Sequence, residues 1–140
     1  MGRVEIERAT GAHIERVIGA VGLFDHAPTV EYTRRFCESD GHHLLLAIEG
    51  DEVAGFVSGV ETTHPDKGTE MFLYELSVGE QHRRRGIGKA LVEALAALAR
   101  ERGCYGMWVG TEADNAAALA TYRAAGAEAP EPCITLAWTF

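Results

Sequence analysis

The sequence lacks the patterns that mark several classes of protein. No apolar run approaches the roughly 20 residues that cross a bilayer, and no apolar secretory core follows the first residues. Only three cysteines occur, without a C-x-x-C pair, so neither a disulfide scaffold nor a standard zinc site is expected. No H-E-x-x-H pair is present. These absences predict a soluble, cytoplasmic chain without a metal, in which the thiols are mostly buried.

Positive charge is also scarce. Thirteen Lys and Arg stand against 21 Asp and Glu, a net charge of -8 that argues against an extended nucleic-acid surface or a DNA-binding function. Residues 81–89 nevertheless carry three arginines, one lysine and no acid. This basic loop is either a solvated surface segment or an anion site. The 140 residues are expected to form one domain, 1–140.

Strand and helix patterns alternate after a hairpin-rich middle. Apolar alternation and helical spacing together predict a mixed α/β sheet with helices on its faces. Thr10 and Pro28 are expected to start the first two helices, and residues 64–68 to form a loop. The predicted strands are 4–7, 43–48, 53–57, 71–78, 105–109 and 133–138, and the later helices are 86–102 and 115–125.

The step from strand 71–78 into the next helix is suited to hold a phosphate. The first amides of a helix have no intrahelical acceptor, and glycine lets an anion approach the backbone closely. A P-loop would need Gly at position 83 and Ser or Thr at position 90, where Arg83 and Ala90 stand. A dinucleotide fingerprint fails as well, because Leu91 occupies the position of its third small residue.

Two motifs in this order resemble the GNAT superfamily of N-acetyltransferases. Arg83, Gly86 and Gly88 match its acyl-coenzyme A signature, and residues 115–126 are similar to its second motif, with Ala127 where an aromatic residue is usual. The resemblance implies a GNAT-like, mixed but mostly antiparallel twisted sheet with helices on both faces. It also implies acetyl-coenzyme A as cosubstrate and makes a homodimer the expected assembly.

The resemblance further implies which residues meet the cofactor. The pantetheine arm would pair with Leu76 and Val78, and the thioester would lie where the strands around Val78 and Val109 splay apart. The backbone N–H of Val78 could polarise the thioester carbonyl. The remaining residues expected at the cofactor are Arg83, Arg84, Arg85, Gly86, Ile87, Gly88, Lys89, Asn115 and Tyr122.

Two side chains are candidates for proton transfer. By resemblance, Tyr122 would donate a proton or a hydrogen bond to the coenzyme sulfur, whereas a purely structural role would be that of a core aromatic residue. Glu75 could deprotonate the acceptor amine directly or through water. Its alternative role is an exposed carboxylate or an ion-pair partner. His82 is expected to be a solvated loop residue, and Cys104 a packing residue.

The acceptor is expected to be a cationic amine. Residues 23–25 and 74–87 resemble the small type I aminoglycoside 3-N-acetyltransferases, although that group tends to carry aspartate where Glu75 stands. Asp25, Glu75, Glu112 and Asp114 are the candidate acceptor-binding residues. Two other interpretations stay open at this stage: acetylation of another small polyamine or amino-acid-like metabolite, and a noncatalytic acyl-coenzyme A binding module.

Overall fold

A computed structural model of the chain describes residues 2–140 and shows one five-stranded sheet. The strands lie in sequence order, antiparallel from the first to the fourth, and only the last pair is parallel. They are β1 (Val4–Arg8), β2 (His42–Glu49), β3 (Glu52–His64), β4 (Gly68–Val78) and β5 (Met107–Trp108). The predicted mixed, mostly antiparallel sheet is therefore confirmed.

Four α-helices cover the two faces of this sheet. They are α1 (Ile14–Gly19), α2 (Val30–Glu38), α3 (Ile87–Glu101) and α4 (Ala116–Ala124). Short 3-10 turns occupy Gly11–His13, Val21–Leu23 and Glu80–His82. Side-chain caps support the predicted starts, because Thr10 accepts from the amide of Ala12, while Thr29, just after Pro28, accepts from that of Tyr32.

Each face of the sheet has its own apolar core. On the α3 side, Leu91 and Leu95 of the helix are fully buried against Val57, Met71 and Leu73 of the strands. On the other side, a second cluster joins the sheet to α1 and α2. Burial on both faces explains why the central strands are nearly continuous apolar runs rather than strict alternations. The helices on both faces are thus confirmed.

Three local predictions differ from the structure. The loop expected at 64–68 is a tight hairpin turn, because β3 extends to His64 and β4 begins at Gly68. The strand predicted at 105–109 has only two ladder residues. The strand predicted at 133–138 is wrong: it has the alternation of a strand, but no strand among residues 2–140 pairs with it.

The three cysteines differ in their burial. Cys37 and Cys104 are half-buried beside the two cores, which confirms the packing role of Cys104, but Cys133 is exposed, contrary to expectation. Within residues 2–140, the structure contains no helix with the length and apolarity of a membrane span.

Candidate active site

The loop between β4 and α3 presents a row of unpaired main-chain amides. The amides of residues 84–89 have neither a backbone nor a side-chain acceptor among residues 2–140. Arg84 (φ 62°) and Gly86 (φ 77°) are both in the left-handed region. Consecutive N–H groups in such a curved backbone form a concave anion site, and the 15-residue α3 adds the positive end of its dipole. The loop therefore suits a phosphate or diphosphate group.

Gly88 brings the first turn of α3 against β4 and α4. A β-carbon at this position would lie 3.4 Å from Cγ2 of Thr121 and 3.7 Å from Cγ2 of Val78. A larger side chain would push the helix away from both elements. The absence of a side chain at position 88 thus joins the amide row, the end of β4 and the helix that carries Tyr122.

Two of the three loop arginines bind the sheet instead of facing outward. Arg85 pairs with both carboxylate oxygens of Glu49, at 2.6 and 3.1 Å, and donates to the carbonyl of Gly2 at 3.2 Å. Arg83 donates from Nε to the carbonyl of Val78 at 3.2 Å. The guanidinium of Arg85 is engaged with β2 and is therefore not available to a diphosphate, contrary to a side-chain role for Arg85 at the cofactor. Its main-chain amide remains in the row.

His82 is buried under the loop, where the sequence favoured a solvated residue. It is 5% exposed, with Nδ1 3.4 Å from Glu49, while its buried Nε2 lies 3.2 Å from Glu52 without a hydrogen bond to it. Since Arg85 Nη1 also lies 3.3 Å from Nδ1 of His82, the loop is fastened to the β2–β3 turn by one connected polar cluster. Sequence spacing gave no signal for it, because Arg85 and Glu49 are 36 residues apart.

β4 has an unpaired edge next to the amide row. Its ladder with β5 covers only Met71–Met107 and Phe72–Trp108, so the part of β4 beyond Phe72 has no partner strand on that side. The amide of Gly79 donates to the carbonyl of Ala54 on β3. In an antiparallel ladder, residues alternate between pointing their N–H and C=O groups toward the partner strand and away from it, so those of Val78 point away from β3. By this alternation, Val78 and Leu76 direct their N–H and C=O groups to the open edge, as the pantetheine prediction requires.

Glu75 lies on the face of β4 that carries α1 and α2. Leu76 and Val78 pack against the α3-side core, and alternation along the strand directs Glu75 to the opposite side. Its amide donates to Oγ of Ser58 at 3.1 Å, where the β3–β4 register shifts. The carboxylate has no ion-pair partner within residues 2–140, so the structure does not give it the simple ion-pairing role.

Asp25 is the charged group that acts on Glu75. Burial, and then the negative charge of Asp25, raise the pKa of Glu75 above its ordinary value. The position of Asp25 is set by its neighbour Phe24, whose ring stacks on Phe56 of β3 with 4.2 Å between centroids. The negative charges of Asp25 and Glu75 therefore act on one another on this side of the sheet, and neither carboxylate has an ion pair among residues 2–140.

Tyr122 lies on the other face. It is half-buried on α4 and packs against the α3-side core, and this burial raises the pKa of its phenol. Its hydroxyl finds no hydrogen-bond partner in the described part of the chain, so it is a protonated donor at neutral pH. Asn115 caps the same helix, because its Oδ1 accepts from the amide of Ala118 at 3.1 Å.

Glu112 and Asp114 are exposed in the segment before α4. Their main-chain carbonyls accept from the amides of Asn115 and Ala116, and their carboxylates make no ion pair among residues 2–140. Of the candidate acceptor-binding carboxylates, only Asp25 acts on the pKa of Glu75. Nor do the described residues include a group of three or more His, Cys, Asp or Glu side chains that could hold a metal ion.

A mostly acidic groove opens beside the end of β4. It measures about 980 Å³ and runs between α1 and the β2–β3 turn, from Leu23 to Gly79. This volume is within the range of small-molecule sites. Its charged lining consists of Glu15, Arg16, Glu49, Asp51, Glu52 and Glu80.

The model of the acetyltransferase (GNAT) family matches residues 12–127 of this sequence. The chain belongs to the acetyltransferase (GNAT) family. Among curated GNAT relatives, the probable N-acetyltransferase family 8 member 5 of Mus musculus is 34% identical over 97 residues, which are 69% of this chain and 42% of that protein. The mycothiol acetyltransferase of Corynebacterium aurimucosum is 51% identical over 57 residues, 41% of this chain and 16% of that protein. The chain thus spans less than half of these relatives.

Solved GNAT structures share the whole fold. An aminoglycoside acetyltransferase from an uncultured soil metagenomic sample, solved with sisomicin, has a TM-score of 0.89 at 20% identity, covering 98% of this chain and 96% of that one. Another from such a sample has a TM-score of 0.81 at 26% identity, with coverages of 98% and 99%. Aminoglycoside N-acetyltransferase AAC(6')-Iy, solved with CoA, has a TM-score of 0.85 at 20% identity, with coverages of 99% and 96%.

Because Arg85 hydrogen-bonds to Glu49, the pKa of that carboxyl lies below its ordinary value of 4.5. A depressed acid pKa contributes stability above its unfolded value, and this contribution is lost as pH falls through the folded value. We therefore expect Arg85→Gln to lower the Tm by several degrees at pH 7, and the difference from wild type to shrink below about pH 4.5. Thermal melts over this range provide the measurement. Arg84→Gln, an exposed neighbour without an ion pair, should melt like wild type, and equal losses in both variants would contradict the assignment.

Proposed function

We propose that this GNAT chain transfers an acetyl group from acetyl-coenzyme A directly to a primary amine, with the 3-amino group of an aminoglycoside as the preferred acceptor. The proposal is carried by one observation. Glu75, a half-buried carboxylate without a cation, and Tyr122, a protonated phenol without a partner, lie on opposite faces of a strand whose edge is open. A base on one face and an acid on the other suit transfer across that edge.

The donor fits the amide row and the open edge together. The unpaired amides of residues 84–89 would bind the diphosphate, with Arg84 and Lys89 supplying exposed positive charge. The outward main-chain groups of Leu76, together with the carbonyl of Val78 that Arg83 shares, would pair with the amide groups of the pantetheine arm as a further strand does, which leaves the N–H of Val78 for the thioester. The amide nitrogen of the Asn115 side chain, opposite the oxygen used by the cap, remains free to donate.

The chemistry then follows from the protonation states. Glu75 takes a proton from the acceptor ammonium, directly or through water, and the neutral amine attacks the thioester carbonyl carbon. The N–H of Val78 would stabilise the negative charge on the carbonyl oxygen. After the C–N bond has formed, the C–S bond breaks and the sulfur takes a proton from Tyr122, while the excess proton on the new amide nitrogen passes to the resulting phenolate, directly or through water. The raised pKa of Glu75 brings this base nearer to neutral pH.

A cationic acceptor is supported by the acidic surroundings of the site. The charge of Asp25 acts on Glu75, and the acidic groove opens beside the same end of β4. Such a lining attracts a molecule with several ammonium groups. Several solved proteins of this fold are aminoglycoside acetyltransferases, one of them of the 6' type, whereas the sequence resembles the 3-N type. Glu112 and Asp114 would add charge at the rim.

The decisive experiment follows thiol release from acetyl-coenzyme A with a panel of aminoglycosides, simple polyamines and amino acids. We expect turnover with aminoglycosides, and NMR of the product should place the acetyl group on the 3-amino nitrogen. Acetylation at the 6' nitrogen would retain the reaction and overturn the regiochemistry. Turnover only with polyamines or amino acids would overturn the acceptor class. Binding of acetyl-coenzyme A without thiol release from any amine would indicate a noncatalytic module.

Removing the base should make activity depend on the acceptor's own deprotonation. We expect Glu75→Gln to reduce kcat/KM about a hundredfold at neutral pH and to recover partly at high pH, where more amine is neutral. Asp25→Asn removes the like charge, lowers the pKa of Glu75 and moves the acidic limb of the pH profile to lower pH. Asp66→Asn, an exposed carboxylate in the β3–β4 turn, is the control. A Glu75→Gln profile parallel to wild type would refute the base assignment.

Tyr122→Phe should slow the departure of the thiolate while leaving binding intact. We expect kcat to fall about 10- to 100-fold with little change in KM for acetyl-coenzyme A, because a thiolate can leave without an acid, but more slowly. Tyr105→Phe removes a hydroxyl that donates to Glu70 outside the site and serves as the matched control. Single-turnover kinetics isolate the chemical step. An unchanged rate there would exclude Tyr122 as the acid.

A further inference from the structure

Three aromatic side chains form a row on the face of the sheet that lies away from α3. Phe72 of β4 stacks on Trp108 of β5 with 4.3 Å between ring centroids, and the ring of Tyr74 lies 5.4 Å from that of Phe72. Met71 and Met107, the residues before Phe72 and Trp108, pack into the α3-side core, so alternation along each strand directs the rings to the opposite face. We call these three residues the aromatic row.

A bulge in β4 brings Glu75 to the same face as the aromatic row. The pairing with β3 joins Gly59 to Leu73 and Ser58 to Glu75, so Tyr74 is an extra residue in β4. Because side chains alternate with a period of two, one extra residue reverses the face to which the following side chains point. Without it, Glu75 would follow Leu73 into the α3-side core. With it, the carboxylate shares a face with the rings.

The aromatic row is accessible to a ligand. Tyr74 is 61% exposed and Trp108 is 49% exposed. The helices of this face pack on β2 and β3, whereas the row lies on β4 and β5. Rings that contact one another and still face solvent form an apolar patch, and such patches mark sites for ligands or partners. Because Tyr74 directly precedes Glu75, this patch begins beside the proposed base.

The charges at this end of the row favour one kind of occupant. Glu75 and Asp25 are two carboxylates whose negative charges act on one another, so they attract more than one ammonium group. The face of an aromatic ring is also negative, and it attracts the C–H groups of a saturated ring or an ammonium group within about 6 Å. A linear polyamine has the charges but no ring face. An arylalkylamine has a ring but a single ammonium group.

We propose that the aromatic row binds the acceptor by stacking on the apolar face of a saturated six-membered ring that carries two or more amino groups. The stacked ring directs one of these groups to Glu75, so the inference rests on the proposed function and names its acceptor class as ring-borne polyamines, of amino-sugar or aminocyclitol type. Tyr74 and Trp108, the more exposed members, determine this specificity. Neither of them transfers a proton.

The emission of Trp108 tests the stacking without any turnover. The sequence has two tryptophans, so Trp138→Phe leaves Trp108 alone, and Trp138 is exposed. We expect sisomicin to shift this emission saturably in the absence of acetyl-coenzyme A, and spermidine at the same concentration to shift it much less. Equal shifts with both amines would overturn the proposal. Unchanged emission while thiol release proceeds would overturn it and retain the acetyl transfer, whereas a shift without thiol release would retain the stacking and overturn the proposed function.

Removal of each ring gives the matched kinetic test. We expect Trp108→Leu and Tyr74→Leu each to raise KM for sisomicin about tenfold, because the ring face is lost, with little change in kcat or in KM for acetyl-coenzyme A. Trp108→Phe keeps a ring and should restore most of the affinity. Tyr32→Leu removes an exposed ring from α2 and is the control.

The same variants separate stacking from a general defect. With spermidine as acceptor, KM should change less than about twofold in Trp108→Leu and Tyr74→Leu, because a linear amine uses the carboxylates and not the rings. Circular dichroism checks the fold, and the exposed Tyr74 provides a second variant if loss of Trp108 disturbs the short β5 ladder. An equal rise in KM for both amines, or no rise for sisomicin in Tyr74→Leu, would overturn the proposal.

Discussion

The site depends on one contact, the packing of the first turn of α3 against the end of β4. A β-carbon at Gly88 would already be in contact with Thr121 and Val78, so the approach leaves no room for a side chain beyond that carbon. The buried leucines of α3 hold the helix on the sheet, and the Arg85–Glu49–His82 cluster fixes the loop from the other side. With both ends held, the amides of residues 84–89 cannot turn inward to find acceptors. Their exposure is thus a consequence of packing and not of a flexible loop.

The two proposed proton-transfer groups lie on opposite faces of the sheet. The α3-side core positions Tyr122, and the core under α1 and α2 positions Asp25 through Phe24, so the proposed acid and the proposed base belong to different packing units. The short β5 ladder leaves β4 open between them. This arrangement explains how a small domain separates an acid from a base without an intervening domain boundary. It also explains why burial raises the pKa of both groups.

Polar clusters at long sequence separation recur on the sheet. His43, fully buried in β2, bonds Glu61 at 2.6 Å and Arg8 at 3.2 Å, while Glu61 also pairs with Arg102 at the end of α3. Clusters whose polar groups are all hydrogen-bonded fix the relative positions of strands and helices more precisely than apolar packing alone. Together with the Arg85 cluster, they hold α3 at both ends. The site is therefore built on rigid elements, with its proposed acceptor side formed by the more exposed segment around Asp25.

The apolar patterns of β1–β4, α3 and α4 depend only on neighbouring residues, and they agree with the residues at the ends of these elements. The sequence by itself therefore determined most of the fold. The sequence also located the amide row, since the spacing of Gly86 and Gly88 after an apolar strand is visible in the sequence. Tertiary structure alone decided that Arg85 and His82 bind Glu49 and that the charge of Asp25 acts on Glu75, because these interactions join residues that are distant in the sequence. Alternation predicted a strand at 133–138, but a strand exists only where a second one pairs with it. A local pattern indicates a preference for a strand, whereas the pairing of that strand depends on which sheet edges the folded chain leaves free.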